Sequence, residues 1–392
     1  MNNHFLNLGL QPLANNYLRK FSQNQPRYNL NIFFNTKTKL VSISKRIPSK
    51  IMFHKNYPYK SSMSKTMIQS FFKLSKEIKK KFKHNYILEI GSNDGALINN
   101  FNKKNVIGVE PCSNLALITK KKGYITFNKY WDFKLAQIIK KKYKNIDLIY
   151  SANTLTHISD LNDVFKSIDL ILSKNGVLII EDPSLQECIK KTSYDQFYNE
   201  HIYIFSCLAV KNIIKKFDLE IFDIKNLSTH GGSLRYYIKK KANKSIKIKP
   251  SVKKQLKKET RNGLANFKTY KKFGYLAQKS KHNLLKIFNK LKNDNKKIIG
   301  YGATAKATTI LNYCDLDNQF IDYFVDTTPD KSNRFIPGKN IKIFKYSKKL
   351  LKNIDYIFLG AWNFKQEIFN KEKKYLSKGG KFITHVPYPK II

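Results

Sequence analysis

The chain has 392 residues, so it is too long for one ordinary hydrophobic core, and two or three domains are expected. Its hydrophobic content of 42% and aromatic content of 13% argue against disorder, and no apolar run approaches the roughly 20 residues that span a bilayer. The net charge of +47 would favour a nucleic-acid or membrane partner, but only six of the 74 basic residues are arginines, the side chain that binds phosphate bidentately, so we discount both partners and expect anionic small molecules.

The first 60 residues predict short elements joined by turns. Residues 28–34 alternate apolar and polar side chains like an exposed strand, and residues 57–64 have the Tyr, Pro and Ser content of a loop. Ser64 is a candidate cap for a helix over 65–82, in which apolar residues recur at helical spacing. The N-terminus shows no charged segment followed by an apolar one, so a cytoplasmic protein is expected.

The run from Tyr86 to Gly95 predicts a buried parallel strand that passes into a glycine-rich turn. Gly91 and Gly95 permit positive φ angles and close backbone approach, and a helix is expected to start at Ala96 and Leu97. Nucleotide cofactors bind at such strand, turn and helix junctions in α/β proteins.

A second predicted strand, 106–109, ends at Glu110, whose carboxylate is placed to accept both hydroxyls of a ribose. Glu89 and Asp94 lie in and beside the glycine turn, where carboxylates would repel the pyrophosphate of a dinucleotide. They suit a cationic ligand, and S-adenosylmethionine carries a sulfonium and an ammonium group. The sequence therefore predicts a site for this cofactor, with an ordinary strand and helix connection as the alternative.

From residue 86 to about 240, predicted strands alternate with helices, notably a helix over 160–173. The predicted strands are 86–90, 106–109, 147–151, 177–181, 219–223 and 233–238. The last two are expected to be antiparallel if they form a hairpin. The alternation predicts an α/β fold with a doubly wound, Rossmann-like sheet of about seven strands.

Residues 250–296 are rich in lysine and carry apolar residues at helical spacing, which predicts one or two long helices between domains. A second α/β unit follows, with a strand at 297–300, a glycine turn, a helix at 307–312 and a strand at 320–325 that leads to Asp326. Lys306 and the backbone N–H groups of this turn predict an anion site suited to a pyrophosphate. A solvated surface lysine is the alternative.

Eight short stretches, in their shared order, resemble the three-domain C-methyltransferases that act on nucleotide-linked keto-sugars. The stretches are LGLQPLANNYL from Leu8, YPYKSSMS from Tyr57, EIGSNDG from Glu89, TLTH from Thr154, YNEH from Tyr198, THGGSLR from Thr229, YGA from Tyr301 with Lys306, and AWN from Ala361. The resemblance covers nearly the whole chain. It implies a class I methyltransferase domain over 65–245, an N-terminal module over 1–64, a helical linker over 246–296 and a C-terminal α/β domain over 297–392.

Members of this family hold zinc in the N-terminal module with two cysteine pairs. Here Asn35 and Thr38 stand where the second pair would align. The four cysteines, Cys112, Cys188, Cys207 and Cys314, contain no C-x-x-C pair and are expected to be buried thiols. No metal is therefore predicted, and the module is expected to be a zinc-less flap over the substrate, held by packing alone.

The resemblance also implies the site residues. The catalytic residues are Tyr198, Glu200 and His201; the cofactor-binding residues are Glu89, Gly91, Asn93, Asp94, Gly95, Glu110 and Asn153; the substrate-binding residues are Tyr57, Tyr59, Ser62, His157, His230, Gly232, Arg235, Tyr301, Lys306 and Asp326. The family usually reads Tyr-His-Glu-His at the catalytic run, and Asn199 takes the second place here.

The implied chemistry suits these residue types. Methyl transfer to carbon needs a carbanion equivalent, and His201 can remove a proton α to a carbonyl near neutral pH. Tyr198 would donate to the enolate oxygen, and Glu200 would orient or tune His201. His157 or His230 would hold sugar hydroxyls or the diphosphate. Without the motif, such histidines more often have structural hydrogen bonds, and the glycines after His230 could form a simple tight turn.

Two other functions stay open at this point. One is methyl transfer to oxygen or nitrogen of a related nucleotide sugar, which needs no carbon acid. The other is non-catalytic binding of a nucleotide or nucleic acid by a basic protein. The favoured expectation is a nucleotide-sugar substrate, no nucleic-acid or membrane partner, and a monomer or homodimer.

Overall fold

The computed structural model describes residues 1–44, 46–55 and 57–392. The strands are β1 Asn2–Pro12, β2 Arg27–Asn35, β3 Val41–Ile43, β4 Ile87–Ile90, β5 Val106–Val109, β6 Ile125–Phe127, β7 Ile146–Ala152, β8 Leu172–Pro183, β9 Tyr203–Ile204, β10 Leu219–Leu227, β11 Ser233–Lys240, β12 Ile298–Tyr301, β13 Tyr323–Asp326, β14 Lys342–Lys345, β15 Tyr356–Leu359, β16 Lys381–Thr384 and β17 Lys390–Ile391. The helices are α1 Ser49–Met52, α2 Lys65–Lys81, α3 Ser113–Lys121, α4 Phe133–Tyr143, α5 Leu161–Ile171, α6 Leu185–Lys190, α7 Cys207–Ile214, α8 Pro250–Arg261, α9 Phe267–Asn293, α10 Ala305–Cys314, α11 Lys365–Lys371 and α12 Lys373–Ser377.

The central sheet has seven strands in the order β10-β11-β8-β7-β4-β5-β6. Its strands run parallel except β11, which is antiparallel to both of its neighbours. All four residues of β4 and all four of β5 are buried, as the continuous apolar runs predicted for strands covered on both faces. The predicted α/β fold and its seven-stranded sheet are confirmed. The short strand β6 was not among the predicted strands.

The helix predicted to start at Ala96 and Leu97 is not formed. A single 3-10 turn, Ile98–Asn100, takes its place. The Asn100 side-chain amide donates to the carbonyls of Ala96 and Leu97 at 3.0 and 2.9 Å. It thereby occupies acceptors that a continuing helix would have used, which is why asparagine disfavours helix interiors.

The C-terminal sheet has the order β14-β13-β12-β15-β16-β17 and is parallel except for β17. The predicted strand, turn, helix and strand are present, with α10 longer than predicted at both ends. Thr304 caps α10 because its hydroxyl accepts the N–H of Ala307 at 3.1 Å. The loops after β12, β13 and β15 lie at one edge of this sheet, since parallel strands end on the same side.

The N-terminal strands form a sheet in the order β1-β2-β3-β9. Two expectations about this region were wrong. The strand at 28–34 is interior, because β2 lies between β1 and β3 and buries Leu30, Ile32 and Phe34 completely. The module is also not held by packing alone, since β3 pairs with β9 through backbone hydrogen bonds. The division of the chain into domains stays a prediction.

The lysine-rich region forms two helices, α8 and α9, and α9 packs on the N-terminal sheet. The ring of Tyr270 on α9 stacks on Phe34 with the ring centroids 4.1 Å apart. Gly263, at φ +75°, ends the first helix in the left-handed conformation typical of a helix C-terminus. No helix in the part of the chain described above is long and apolar enough to cross a membrane.

Helix α2 begins at the predicted cap, Ser64, and is held to the central sheet by Glu77. The Glu77 carboxylate accepts hydrogen bonds from Lys225 at 2.6 Å, Lys81 at 2.9 Å and Tyr237 at 2.9 Å. Burial alone would raise the pKa of Glu77, but these hydrogen bonds outweigh it and lower the pKa to about 2. The ionised form of Glu77 therefore stabilises the folded state.

Glu77→Gln is expected to lower the free energy of unfolding at pH 7 by about 1–2 kcal/mol, after allowance for solvent screening. Because the folded pKa lies below the unfolded one, this contribution is present above about pH 4.5 and disappears as the pH falls towards 2. Urea unfolding of wild type and variant between pH 3 and pH 8 measures it. Glu187→Gln, which removes one ion pair to Lys191, is the control and should cost less. A difference that does not shrink in acid would contradict the assignment.

Candidate active site

One cavity of about 1080 Å³ extends from the carboxyl ends of the central strands to the C-terminal sheet. The predicted site residues that line it are Glu89, Gly91, Asn93, Glu110, Asn153, Tyr57, Tyr59, His157, Tyr198, His201, His230, Tyr301, Lys306 and Asp326. The predicted residues outside its lining are Asp94, Gly95, Glu200, Ser62, Gly232 and Arg235. Most of the predicted residues are thus brought together although they come from all parts of the chain.

The glycine turn after β4 has the predicted backbone conformation. Gly91 adopts φ +76°, and a Cβ there would lie 2.1 Å from the Thr154 hydroxyl oxygen. The turn is hydrogen-bonded to Glu110, because Oε2 of Glu110 accepts the N–H of Asn93 at 2.8 Å. Its Oε1 accepts the N–H of Cys112, also at 2.8 Å. Each carboxylate oxygen therefore keeps one further lone pair for a ligand hydroxyl.

The buried oxygens near this turn that have no hydrogen-bond partner in the described structure include two that can only accept, Oε2 of ionised Glu89 and Oδ1 of Asn153. Burial raises the pKa of Glu89 well above its usual range, which is the cost of a carboxylate with no cation beside it. A ligand that brings an ammonium group would satisfy both oxygens. The hydrogen-bond acceptors near the turn therefore fit S-adenosylmethionine. Glu89, Asn153 and Glu110 are the residues that would hold it.

The predictions missed a group of aromatic residues that close this end of the cavity. Tyr130 and Trp131 follow β6 directly, and the Tyr130 hydroxyl donates to the Phe53 carbonyl at 2.8 Å. Trp131 is buried, and its indole N–H has no acceptor in the described part of the chain. The signal for them was the Tyr-Trp-Asp run at 130–132, which is informative only once the short strand β6 before it is recognised.

Tyr198 and His201 form a hydrogen-bonded pair in the wall of the cavity. The His201 Nδ1 lies 2.8 Å from the Gln196 carbonyl, which can only accept, so Nδ1 carries the hydrogen. The Nε2 then accepts the Tyr198 hydroxyl at 2.5 Å. Burial, with a smaller contribution from His157, lowers the pKa of His201 well below its usual range. The imidazole is therefore neutral, and its basic nitrogen is Nε2.

Two further histidines lie in the same wall. The His157 ring stacks between Phe53 and His201, with centroid distances of 5.4 and 5.2 Å. Burial lowers the pKa of His157 to about 4. Burial, with the charge of Lys306, lowers the pKa of His230 to about 3. The Nε2 atoms of both residues have no partner in the described structure, so both can bind a ligand.

The hydrogen bond that orients His201 is made with the Gln196 carbonyl and not with Glu200. The Glu200 carboxylate is not part of the cavity lining and accepts the hydroxyl of Tyr57, which is, at 2.6 Å. Burial raises the pKa of Glu200 to about 7. The neighbouring Asn199, where the family has histidine, donates to the Pro12 carbonyl at 3.1 Å and lies outside the lining. Asparagine in place of the family's histidine at position 199 therefore leaves the Tyr198 and His201 pair intact.

Four other predicted ligand contacts are corrected by their surroundings. Arg235 lies within β11, where its guanidinium binds Glu181 at 2.9 Å, so it is unavailable to a substrate. Ser62 and Asp94 are hydrogen-bonded to each other. Gly232 packs against the Glu187 side chain rather than the cavity.

Gly95 lies beside Thr119 and Asn99, away from the cavity lining. Its φ of +87° shows that the residue is needed for the turn. Tyr301 reaches the cavity wall, but its hydroxyl donates to Glu372 at 3.0 Å. Asp326 accepts the N–H groups of Ala303 and Thr328, both at 2.8 Å, and so shapes the loops at this end.

Lys306 is buried in the first turn of α10 and lines the cavity. Its Nζ lies over the Trp362 ring, 5.2 Å from the ring centroid. Burial lowers the pKa of Lys306, and the negative charge of Asp195 opposes that effect. A buried lysine aimed at a cavity is not the solvated surface residue of the alternative interpretation. A lysine placed in this way can bind an anionic ligand.

The two ends of the cavity therefore differ in charge. The carboxylate end is lined by Glu89, Glu110, Asp132, Asp160 and Asp163, and the lysine end is lined by Lys306, Lys331 and Lys371. Lys50, Lys60 and Lys134 also line the cavity, and Lys60 is paired with Asp330 at 2.6 Å. The lysine end also contains Asp326 and Glu367, but Asp326 is already bound by backbone N–H groups. The His201 pair lies in the wall of the same cavity. This arrangement can hold a cationic and an anionic ligand in one chamber with a base beside them.

Comparisons with known proteins agree with this description. A family model described as a methyltransferase domain matches residues 59–224, and a model described as a C-methyltransferase C-terminal domain matches residues 228–387. C-methyltransferase NovU from Streptomyces niveus is 29% identical over 308 residues, which cover 78% of this chain and 73% of that protein.

Solved structures also align with part of the chain. A S-adenosylmethionine-dependent methyltransferase from Clostridium acetobutylicum is 15% identical with a TM-score of 0.35, covering 45% of this chain and 93% of that one. An O-methyltransferase from Brevibacillus brevis is 14% identical with a TM-score of 0.35, covering 56% of this chain and 89% of that one. Likenesses at this level do not bear on the activity. The two family matches and the relative identify the chain as an S-adenosylmethionine-dependent methyltransferase that is similar to C-methyltransferases.

Proposed function

We propose that the enzyme methylates the carbon α to the carbonyl of a nucleotide-diphospho-keto-sugar. The observation that carries the proposal is the neutral His201, whose basic Nε2 lies in one cavity with a carboxylate end and a lysine end. The matched C-methyltransferase C-terminal domain and the relative named C-methyltransferase support carbon as the methyl acceptor. The lysine end supports an anionic, diphosphate-bearing substrate.

The cofactor is held by the residues of the carboxylate end. Glu89 and Asn153 would accept hydrogen bonds from its ammonium group, and Glu110 would accept its ribose hydroxyls. When bound, the cofactor supplies an electrophilic methyl group on a sulfonium. Tyr130 and Trp131 enclose the site and help to exclude water.

Proton transfer is assigned to the Tyr198 and His201 pair. A substrate carbonyl beside Tyr198 would draw its O–H away from His201, which frees Nε2 to take the proton from the neighbouring carbon. The protonated Nε2 of His201 then donates to the Tyr198 oxygen. The Tyr198 hydroxyl meanwhile keeps its hydrogen bond to the enolate oxygen. The Gln196 carbonyl holds Nδ1–H throughout and keeps the ring oriented.

Diphosphate binding is assigned to the lysine end. Lys306 is the main candidate because its ammonium has no hydrogen-bond acceptor of its own in the described structure. Lys331 is partly committed, since its Nζ donates to the Ala303 carbonyl at 2.6 Å and lies 3.5 Å from Asp326. His230, beside Lys306, would hold a sugar or phosphate oxygen through its unpartnered Nε2.

The decisive experiment is exchange of the substrate α-hydrogen with solvent. Wild-type protein is incubated in D2O with S-adenosylhomocysteine and a thymidine- or uridine-diphosphate keto-sugar, and the α-hydrogen is followed by NMR. We expect exchange, because His201 removes this proton without needing a methyl donor. Methylated product without any exchange would instead favour transfer to oxygen or nitrogen. Failure of both ligands to bind would reopen the interpretation as a basic binding protein.

A further inference from the structure

The stretch LGLQPLANNYL has no part in the chemistry described above, yet the structure brings its second half into the active site. We call residues 12–18, which begin at the last residue of β1, the N-terminal strap. The strap lies between the catalytic run and the C-terminal sheet. Its contacts are Pro12 O with Asn199 Nδ2 at 3.1 Å, Ala14 O with Thr308 Oγ1 at 3.1 Å, Tyr17 Oη with Ala303 O at 2.8 Å, and Tyr17 O with Arg334 Nη1 at 2.9 Å.

Asn15 lies at the centre of the strap and lines the cavity. Its Nδ2 donates to both carboxylate oxygens of Glu200, at 2.8 Å to Oε1 and 3.0 Å to Oε2. The Tyr57 hydroxyl donates to Oε2 as well. Both oxygens of Glu200 thus accept from donors that belong to the cavity wall. A protonated carboxyl would place its own O–H against one of these donors, so the geometry suits the ionised form.

The charge of Glu200 at neutral pH depends on these donors. Burial raises the pKa of Glu200 to about 7, and the hydrogen bonds from Tyr57 and Asn15 oppose that rise. The other titratable groups that face Glu200 are the phenols of Tyr17, Tyr57 and Tyr198 and the thiol of Cys112. Burial raises the pKa of each of these, so they are neutral at pH 7 and do not counter its charge.

We propose that Asn15 is a positioning residue that keeps Glu200, the residue before His201 in the chain, ionised and fixed. The ionised carboxylate holds the Tyr57 side chain in the cavity wall and favours the positive charge that develops on His201 when it takes a proton. The N-terminal strap thereby couples the first strand of the chain to the base, through a residue 185 positions away from its partner. The catalytic part of this inference rests on the proposed function, whereas the effect on Glu200 does not.

The test of the effect on Glu200 needs no substrate. Protein is labelled with glutamate carrying ¹³C in the side-chain carboxyl, and the Glu200 signal is identified by its loss in Glu200→Gln. Asn15→Ala should raise the titration midpoint of this signal by about one pH unit, since a hydrogen bond to a charged group contributes about 1.5–3 kcal/mol. Asn16→Ala is the matched control in the same strap and should leave the midpoint unchanged.

Asn15→Asp places a second carboxylate against Glu200 and should raise the midpoint further, which provides a second variant if Asn15→Ala fails to fold. A midpoint that stays the same in both folded variants would overturn the proposal.

The catalytic part is tested with the α-hydrogen exchange reaction measured against pH. Asn15→Ala should lose about fivefold in exchange rate at pH 7, because the ionised fraction of Glu200 falls by about that factor, and recover towards wild type above about pH 9, where Glu200 is ionised in both proteins. Affinity for S-adenosylhomocysteine should not change. A shifted midpoint with an unshifted rate profile would overturn the catalytic part alone. Absence of exchange in wild type would instead contradict the proposed function, and the ¹³C titration would still decide the role of Asn15.

Discussion

His201→Asn is expected to lower the rate of methyl transfer by about 10³-fold or more, because asparagine occupies similar space but cannot accept a proton. The α-hydrogen exchange should be lost with it. Binding of S-adenosylhomocysteine, measured by calorimetry, should survive, because the carboxylate end of the cavity does not include His201. A variant that binds the cofactor product and fails in both reactions would establish His201 as the base.

The matched control is His282→Asn, which makes the same substitution at an exposed position of α9. It should leave turnover, exchange and binding unchanged. Undiminished turnover of His201→Asn would remove His201 from the mechanism, and the proton would then have to go to another group in the wall. His157 is the nearest alternative, since its Nε2 has no hydrogen-bond partner in the described structure.

Glu110→Gln is expected to weaken binding of S-adenosylhomocysteine by about 100-fold. The substitution removes the charge, and its NH2 group replaces one of the two oxygens that accept the N–H groups of Asn93 and Cys112, so that it opposes one of these donors. It also leaves a donor where a ribose hydroxyl needs an acceptor. Loss of a hydrogen bond to a charged group costs about 1.5–3 kcal/mol, and about 1.4 kcal/mol corresponds to tenfold in affinity. Calorimetric titration measures the change directly.

Glu367→Gln is the control for this prediction, because Glu367 is a carboxylate at the other end of the same cavity and accepts the Thr66 hydroxyl at 2.8 Å. It should not change cofactor affinity. Equal affinities for wild type and Glu110→Gln would mean that the ribose binds elsewhere. Equal losses in both variants would indicate a general effect of charge in the cavity rather than a specific contact.

The turn after β4 shows how far local patterns reach. The apolar run and Gly91 predicted a buried strand and a turn with positive φ, and both are present because they depend on neighbouring residues alone. The helix expected after the turn is absent because the Asn100 side chain competes for backbone carbonyls. The prediction of a helix start did not take into account this competition between the Asn100 side chain and the backbone N–H groups.

Arg235 shows the opposite case, in which a motif residue has a structural partner. The family resemblance implied that Arg235 binds the substrate, but β11 pairs with β8 and so puts Arg235 directly opposite Glu181. A cross-strand register of this kind depends on the whole sheet. No spacing within residues 229–235 could have revealed it.

The sequence by itself determined the α/β fold class, the glycine turn, the resemblance to C-methyltransferases and 14 of the residues that line the cavity. Periodicity, turn residues and short motifs carry that information because they act over a few positions. Only the tertiary structure decided which groups face each other. The acceptor of His201 Nδ1 is a backbone carbonyl, which no side-chain motif encodes. Glu200 is bound by Tyr57 and Asn15, which lie 143 and 185 positions away. Contacts between such distant residues arise from the packing of three sheets, and packing is a property of the folded chain as a whole.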